Sequence, residues 1–325
     1  MPDLYPLLLL PEFKERVWGA RDLAPLYPNY KVEGEPIGEV WLTGDDCRVA
    51  NGRLTGQTLG VLAHRYGREL VGEAAPQDER FPLLIKFLFP REKLSVQVHP
   101  TDEDARRAGL PCGKSECWYV VVAEIDAQVG LGLKAGTLRV DFEAALRRGE
   151  RADQLLNWIY VRPGEIIYNP AGTVHCIGPG SVLLETQQNS DTTYRLYDYG
   201  RSREMHLEQG LAAMKERSGA GKVARGSDKS LLALSPFFRV EKFLAQGESV
   251  QVHQNTRPSS AWAVVALDGC GVFAAAGVET SLARGEALVV PAAISEFTVR
   301  PQWRVEYLCI AVPPPGAPHP PTVAT

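Results

Sequence analysis

Leu94-Ser95-Val96-Gln97-Val98-His99-Pro100 is the stretch on which the fold turns. Side chains along a strand point alternately to its two faces, so Ser95, Gln97 and His99 share one face while Val96 and Val98 take the other. Pro100 has no N–H to offer and ends the ladder. A carboxamide and an imidazole on one face either meet water or line a cavity, and the neighbouring segments favour the cavity. Upstream, Pro82-Leu83-Leu84-Ile85-Lys86-Phe87-Leu88-Phe89 is an almost continuous apolar run that suits a buried strand. Downstream, Thr101-Asp102-Glu103-Asp104 opens a short helix, with Thr101 as N-cap and acidic residues where the helix dipole favours them.

Working outward, the chain alternates short strands with Gly, Pro, Asn and Asp signals. Strands are expected over 13–18, 38–43, 116–123, 130–134, 156–161, 165–169, 181–186 and 193–197. Besides the short helix after Thr101, helical spacing is seen over 59–66, 141–148 and 207–217. The pattern predicts an all-β dominated fold of two jelly-roll units with a few short helices. The first unit is expected over 1–217, a Gly-rich and charged linker over 218–230, a smaller β unit over 231–312 and an extended or disordered proline-rich tail over 313–325. In the smaller unit, strands are expected over 237–244, 248–253, 261–266, 272–275, 287–290 and 297–299. An internal echo supports two copies of one unit: Ser95-Val-Gln-Val-His99 recurs as Ser249-Val-Gln-Val-His253.

With 325 residues and a formal net charge of −4, the chain has no basic field for nucleic acid or acidic lipid. The only apolar run near the start, Leu7 to Leu10, is too short to span a bilayer and reads as the first strand of a cytoplasmic protein. Six cysteines without CxxC spacing read as free thiols; Cys112, Cys117 and Cys176 lie near the polar motifs, which keeps soft metal ligation open for them.

Lys114 and Glu116 are two apart on an expected strand and so face the same way. Further on, Gly164-Glu-Ile-Ile-Tyr-Asn-Pro170-Ala-Gly172-Thr-Val-His175 has the form Gly-x5-Pro-x-Gly-x2-His, which resembles the second metal-binding motif of the cupin superfamily. With His99 and Glu116, His175 completes a two-histidine, one-carboxylate set that divalent transition metals accept.

The resemblance then narrows. Leu94 to Pro100, Gly113-Lys-Ser-Glu-Cys-Trp-Tyr119, Pro170 to His175 and Gln188-Asn-Ser-Asp-Thr-Thr-Tyr-Arg-Leu-Tyr-Asp-Tyr-Gly-Arg201 together resemble the short bacterial form of type I mannose-6-phosphate isomerases, from about Phe13 to about Lys242. That resemblance implies one Zn²⁺ per chain held by Gln97, His99, Glu116 and His175, with Arg195 as the catalytic arginine. It implies interconversion of mannose 6-phosphate and fructose 6-phosphate through an enediol. Glu185 is then either the proton-transfer base or a partner that orients Arg195 or a zinc ligand, and Lys114 joins the catalytic set. For the phosphate, Lys93, Arg201 and the Ser95 hydroxyl are the expected contacts. The partner is a phosphorylated hexose, and the chain a monomer or homodimer. Two rivals share parts of this pattern: an iron-dependent cupin dioxygenase and a non-catalytic sugar-sensing cupin. Trp18-Gly19-Ala20 and Cys176 depart from the family's usual residues without touching a ligand position.

Overall fold

The computed structural model describes residues 4–76, 80–253, 260–316 and 321–323. Its strands form three sheets, and two of them build the first unit. The seven-stranded sheet runs Gly221–Lys222, Ile166–Asn169, Glu116–Ala123, Ser181–Gln188, Leu83–Leu88, Ile37–Trp41, Glu12–Ala20. Facing it, the five-stranded sheet runs Tyr194–Tyr197, Val96–Val98, His175–Ile177, Gln128–Leu133, Leu156–Tyr160. Neighbours in both sheets are antiparallel, as in a jelly roll.

Alternation decides what each sheet buries. Val96 and Val98 point outward and pack with Phe142, Leu211 and Met214, so helices Arg139–Arg147 and Leu207–Ala213 cover that face. Gln97 is therefore turned into the barrel. In the run Leu83–Leu88, Ile85 and Phe87 join an apolar layer shared with Val265, Leu308 and Ile310 of the second unit. Lys86, one step out of phase, points inward with Leu88.

Two turns place the site. Asn169 ends a strand of one sheet and His175 begins a strand of the other, so Pro170 to Val174 forms the corner between sheets. Gly172 takes φ +87°, a conformation natural only to glycine, and its N–H bonds to the His99 carbonyl at 2.9 Å. Gly113 serves the second turn by close approach, since a Cβ there would lie 2.6 Å from the backbone of Thr101 and Asp102. Gly113→Ala is expected to push Lys114 and Glu116 off their positions and destabilise the fold by about 1–3 kcal/mol. A thermal melt together with metal content checks this; an unchanged melting temperature would show that the turn relaxes freely.

Several features differ from the sequence reading. Strand Leu7–Leu9 pairs with Ala287, Leu288 and Val289, so the start of the chain belongs to the sheet of the second unit rather than the first. The stretch expected as a linker contains the strand Gly221–Lys222, paired with Ile167 and Tyr168. In the expected tail, residues 321–323 are held at that same edge, where Val323 bridges Val223; positions 317–320 and 324–325 lie outside the described residues. Helix Leu207–Ala213 stops before Lys215, whose N–H is taken by the Gly172 carbonyl at 2.8 Å.

The eight-stranded sheet of the second unit is dominated by Trp262–Ala275 and Glu296–Ala311, each longer than expected. Bulges at Ala266/Asp268 and Gly269/Gly271 let the pair bend and accommodate Pro301 opposite Gly271. Among the described residues, no helix is long and apolar enough to cross a membrane.

Candidate metal centre and active-site cavity

The five-stranded sheet carries one row of functional side chains in register. Arg195 lies opposite Gln97, and Gln97 opposite His175, on three adjacent strands. Across the barrel the seven-stranded sheet sets Lys86 opposite Glu185 and Glu185 opposite Trp118. Glu116, two residues before Trp118 on the same strand face, completes the floor.

His99, Glu116 and His175 offer one donor atom each, all within 4.8 Å of one another, and all three are buried. His99 Nε2 lies 3.5 Å from Glu116 Oε2 and His175 Nε2 lies 3.3 Å from Glu116 Oε1. Each imidazole has Nδ1 at 2.9 Å from a carbonyl, that of Thr192 for His99 and that of Thr173 for His175. A carbonyl can only accept, so both Nδ1 atoms carry the proton and both Nε2 lone pairs face the centre. Burial depresses both imidazoles, with Lys114 beside each adding to the effect; His175 falls to about 4. Neutral histidines are what a metal requires.

The donors fit a cation for a further reason. His99 Nε2 and Glu116 Oε2 are buried with no hydrogen-bond partner, an arrangement that is costly unless something positive completes it. Burial and the nearby Glu185 raise the Glu116 carboxyl well above its usual range despite Lys114 at 3.5 Å and a 2.7 Å bond from Asn169 Nδ2. Gln97 directs Nε2 toward His175 Nε2 at 3.2 Å while its Oε1 accepts from Ser95 at 3.1 Å. A half-turn of the amide, isosteric and common, would present the oxygen to the centre instead.

Above this floor opens a cavity of about 440 Å³, lined among others by Ser95, Gln97, Lys114, Glu185 and Arg195. Glu185 bonds Lys86 Nζ at 3.1 Å and accepts from Trp118 Nε1 at 3.1 Å. Burial alone would raise its pKa, but Lys86 and Lys114 overcome this and hold it well below the carboxylate range. Arg195 donates from Nη1 to the Glu204 carbonyl at 2.7 Å. Two expected phosphate contacts lie elsewhere. Lys93 bonds Asp153 at 2.8 Å, and Arg201 is taken by Glu92 at 2.7 Å and Asp198 at 3.2 Å; neither lines the cavity. The cysteines are all free thiols, none belongs to the cluster of three donors, and Cys176 donates to the Leu94 carbonyl at 3.1 Å.

Lys86 is the site residue that sequence reasoning passed over. It is 2% exposed, lies between Glu185 and Glu39 (3.6 Å), and lines the cavity. Burial opposes its charge, yet the two carboxylates raise its pKa. The available signal was a lone lysine inside an otherwise apolar strand. Lys86→Met removes the ion-pair partner of buried Glu185 and leaves Glu39 with Arg16 alone, and is expected to cost about 3–5 kcal/mol. Urea unfolding measures it; an unchanged midpoint would mean that Glu39 and Glu185 find other cations.

A double-sheet barrel with two histidines and a carboxylate gathered inside it defines a protein of the cupin type. The catalytic-domain model of type I phosphomannose isomerases matches residues 7–119. The mannose-6-phosphate isomerase ManA of Bacillus subtilis is 42% identical over 221 residues, covering 65% of this chain and 68% of the relative. The mannose-6-phosphate isomerase of Streptococcus mutans is 34% identical over 307 residues, covering 90% and 94%. Among solved structures, the mannose 6-phosphate isomerase from Bacillus subtilis superposes with a TM-score of 0.80 at 30% identity, over 94% of this chain and 99% of that one. The chain belongs to the type I phosphomannose isomerase family.

Proposed function

We propose that this chain is a zinc-dependent aldose–ketose isomerase that interconverts D-mannose 6-phosphate and D-fructose 6-phosphate through an enediol. The observation that carries the reading is the buried trio His99, Glu116 and His175, in which His99 Nε2 and Glu116 Oε2 have no hydrogen-bond partner, at the floor of a cation-lined cavity. Relatives that share most of the chain bear the name mannose-6-phosphate isomerase. One Zn²⁺ would be held by His99, Glu116 and His175 with Gln97 as a fourth ligand, a nitrogen and oxygen set that suits this ion. When bound, it would polarise the sugar carbonyl and hold neighbouring sugar oxygens.

The chain's own groups supply the rest. Isomerisation removes a proton beside a carbonyl and returns it to the adjacent carbon, so negative charge develops on oxygen. Arg195, cationic at any working pH and adjacent to Gln97 in the sheet, complements that charge. Lys114 adds a second cation beside Glu116. Glu185 faces the cavity as an ionised carboxylate, but its bond to Lys86 makes it a weak base, so the reading favours Glu185 as the group that positions Lys86. Glu185→Gln tests this: loss of solvent-hydrogen exchange at C2 with the fold intact would assign it to proton transfer instead. Free thiols at all six cysteines support a cytoplasmic setting.

A coupled assay of mannose 6-phosphate turnover, run with metal analysis, tests the whole reading. Chelation should abolish turnover and Zn²⁺ restore it. Full activity in metal-free protein, or oxygen consumption with iron, would overturn it.

A further inference from the structure

The second unit holds a cavity of about 310 Å³ that shares no lining residue with the cavity of the first. Its shape follows from strand register. On the strand Arg239–Gln246, alternation turns Arg239, Glu241 and Phe243 to one face, while Val240 joins the apolar layer between the units. Arg239 lies opposite Ala311 and Ala311 opposite Trp262; one row deeper, Glu241 lies opposite Cys309 and Cys309 opposite Val264. Two small side chains on the middle strand thus leave a hollow between a guanidinium and an indole. Phe243, stacked on Tyr307 with ring centroids 5.6 Å apart, forms the next row.

The letters repeated from the first unit do not make a second metal centre there. Val252 of Ser249-Val-Gln-Val-His253 packs into the core of the second unit, whereas its counterpart Val98 faces outward under the helices. Gln251 and His253 are therefore exposed and stand at the rim, with His253 paired to Glu296 at 3.1 Å. Among the described residues, the one group of three donors suited to a metal is that of the first unit.

Charge and bonding define what the hollow can take. Arg239 stands against two carboxylates, Asp228 and Glu241, a balance that disfavours a phosphate and admits a neutral molecule. Arg239 donates from Nη2 to Glu241 Oε1 at 2.6 Å, and its Nε is buried without a partner. Asp228 Oδ1 accepts from Ser230 Oγ at 2.7 Å, and Oδ2 has no partner among the described residues. Planar charged groups beside an aromatic face suit a ring that has apolar C–H faces and a hydroxyl edge, which is a pyranose. The volume falls at the low end of the roughly 300–1,000 Å³ of small-molecule sites, as a small sugar requires.

We infer that this cavity is a binding site for a neutral, unphosphorylated pyranose, stacked on Trp262 and held at its hydroxyl edge by Arg239, Glu241 and Asp228. It is a second sugar site, and it stands whether or not the first unit is an isomerase.

Methyl α-D-mannopyranoside and methyl β-D-glucopyranoside are the probes, since the methylated anomeric oxygen blocks ring opening and neither carries a phosphate. Each is titrated into the zinc-loaded enzyme with and without saturating fructose 6-phosphate, and binding is followed by ligand-detected NMR. At least one should bind with a Kd of about 0.1–10 mM under both conditions. Sorbitol, which has the hydroxyls without the ring, should bind about tenfold more weakly or not at all. Trp262→Leu and Arg239→Gln should each weaken the glycoside about tenfold or more. Trp303→Ala removes an indole that is 73% exposed and outside the cavity, and should leave binding unchanged. Mannose 6-phosphate turnover should stay within about twofold of wild type in all three. Trp262 also packs against Phe297, so Arg239→Gln decides if the leucine variant does not fold. The inference is overturned by no binding of either glycoside up to about 100 mM, or by wild-type binding in Arg239→Gln. Binding seen only without fructose 6-phosphate also overturns it, by placing the glycoside in the first unit's cavity. Equal binding of sorbitol overturns the pyranose assignment.

Discussion

Glu116→Gln is expected to lose the bound metal and reduce isomerase turnover by about a thousandfold or more, because the charge at the centre of the donor cluster disappears. Its effect on stability should reverse sign with metal. In metal-free protein the Glu116 carboxyl is raised well above its ordinary value, by burial first and by Glu185 second. A folded-state pKa above the unfolded one means that the folded state holds more protons as pH rises past about 4.5, so stability falls with pH there. At neutral pH the uncharged amide removes that penalty, and metal-free Glu116→Gln should melt at or above metal-free wild type. Zinc-loaded wild type should melt above both, since a cation that binds only the folded chain stabilises it. Calorimetry with and without chelator reads all three. A variant that keeps stoichiometric metal and wild-type turnover would remove Glu116 from the centre.

Arg195→Ala should keep its metal and lose about a hundredfold to a thousandfold in kcat, the usual effect of removing one fixed donor from a developing oxyanion. Metal retention is expected because Arg195 touches none of the three donors directly; its side chain bonds the Glu204 carbonyl instead. Arg195→Lys should recover only part of the loss, since an ammonium lacks the planar fork. Steady-state kinetics with metal analysis on the same samples decides the matter. Wild-type kcat in the alanine variant would remove Arg195 from the proposed role and pass it to Lys86 or Lys114.

The donor cluster was legible in the chain because its motifs are short and local. Gln97 and His99 are two apart on one strand, and Gly-x5-Pro-x-Gly-x2-His writes out a strand, a corner and a strand. Period-two alternation then fixes which side chains turn inward, whatever the rest of the molecule does. The cations behaved differently. Lys93 and Arg201 stand beside the motifs in sequence, yet long side chains reach whichever carboxylate packing brings near, here Asp153, Glu92 and Asp198. Lys86 was hidden by its neighbours: an apolar run reports burial but not that Glu39 and Glu185 wait on the adjoining strands.

Residue order alone thus specified the all-β character, the donor types and the face each one occupies, since these follow from backbone periodicity and turn chemistry within a few residues. Pairings between distant segments came only with folding. Leu7–Leu9 joining a sheet some 280 positions away, Val323 bridging Val223 and Arg16, Arg195 and Arg203 meeting over one cavity are examples. Such contacts are set by how whole sheets bury their apolar faces against each other, a property of the assembled core that no local stretch encodes.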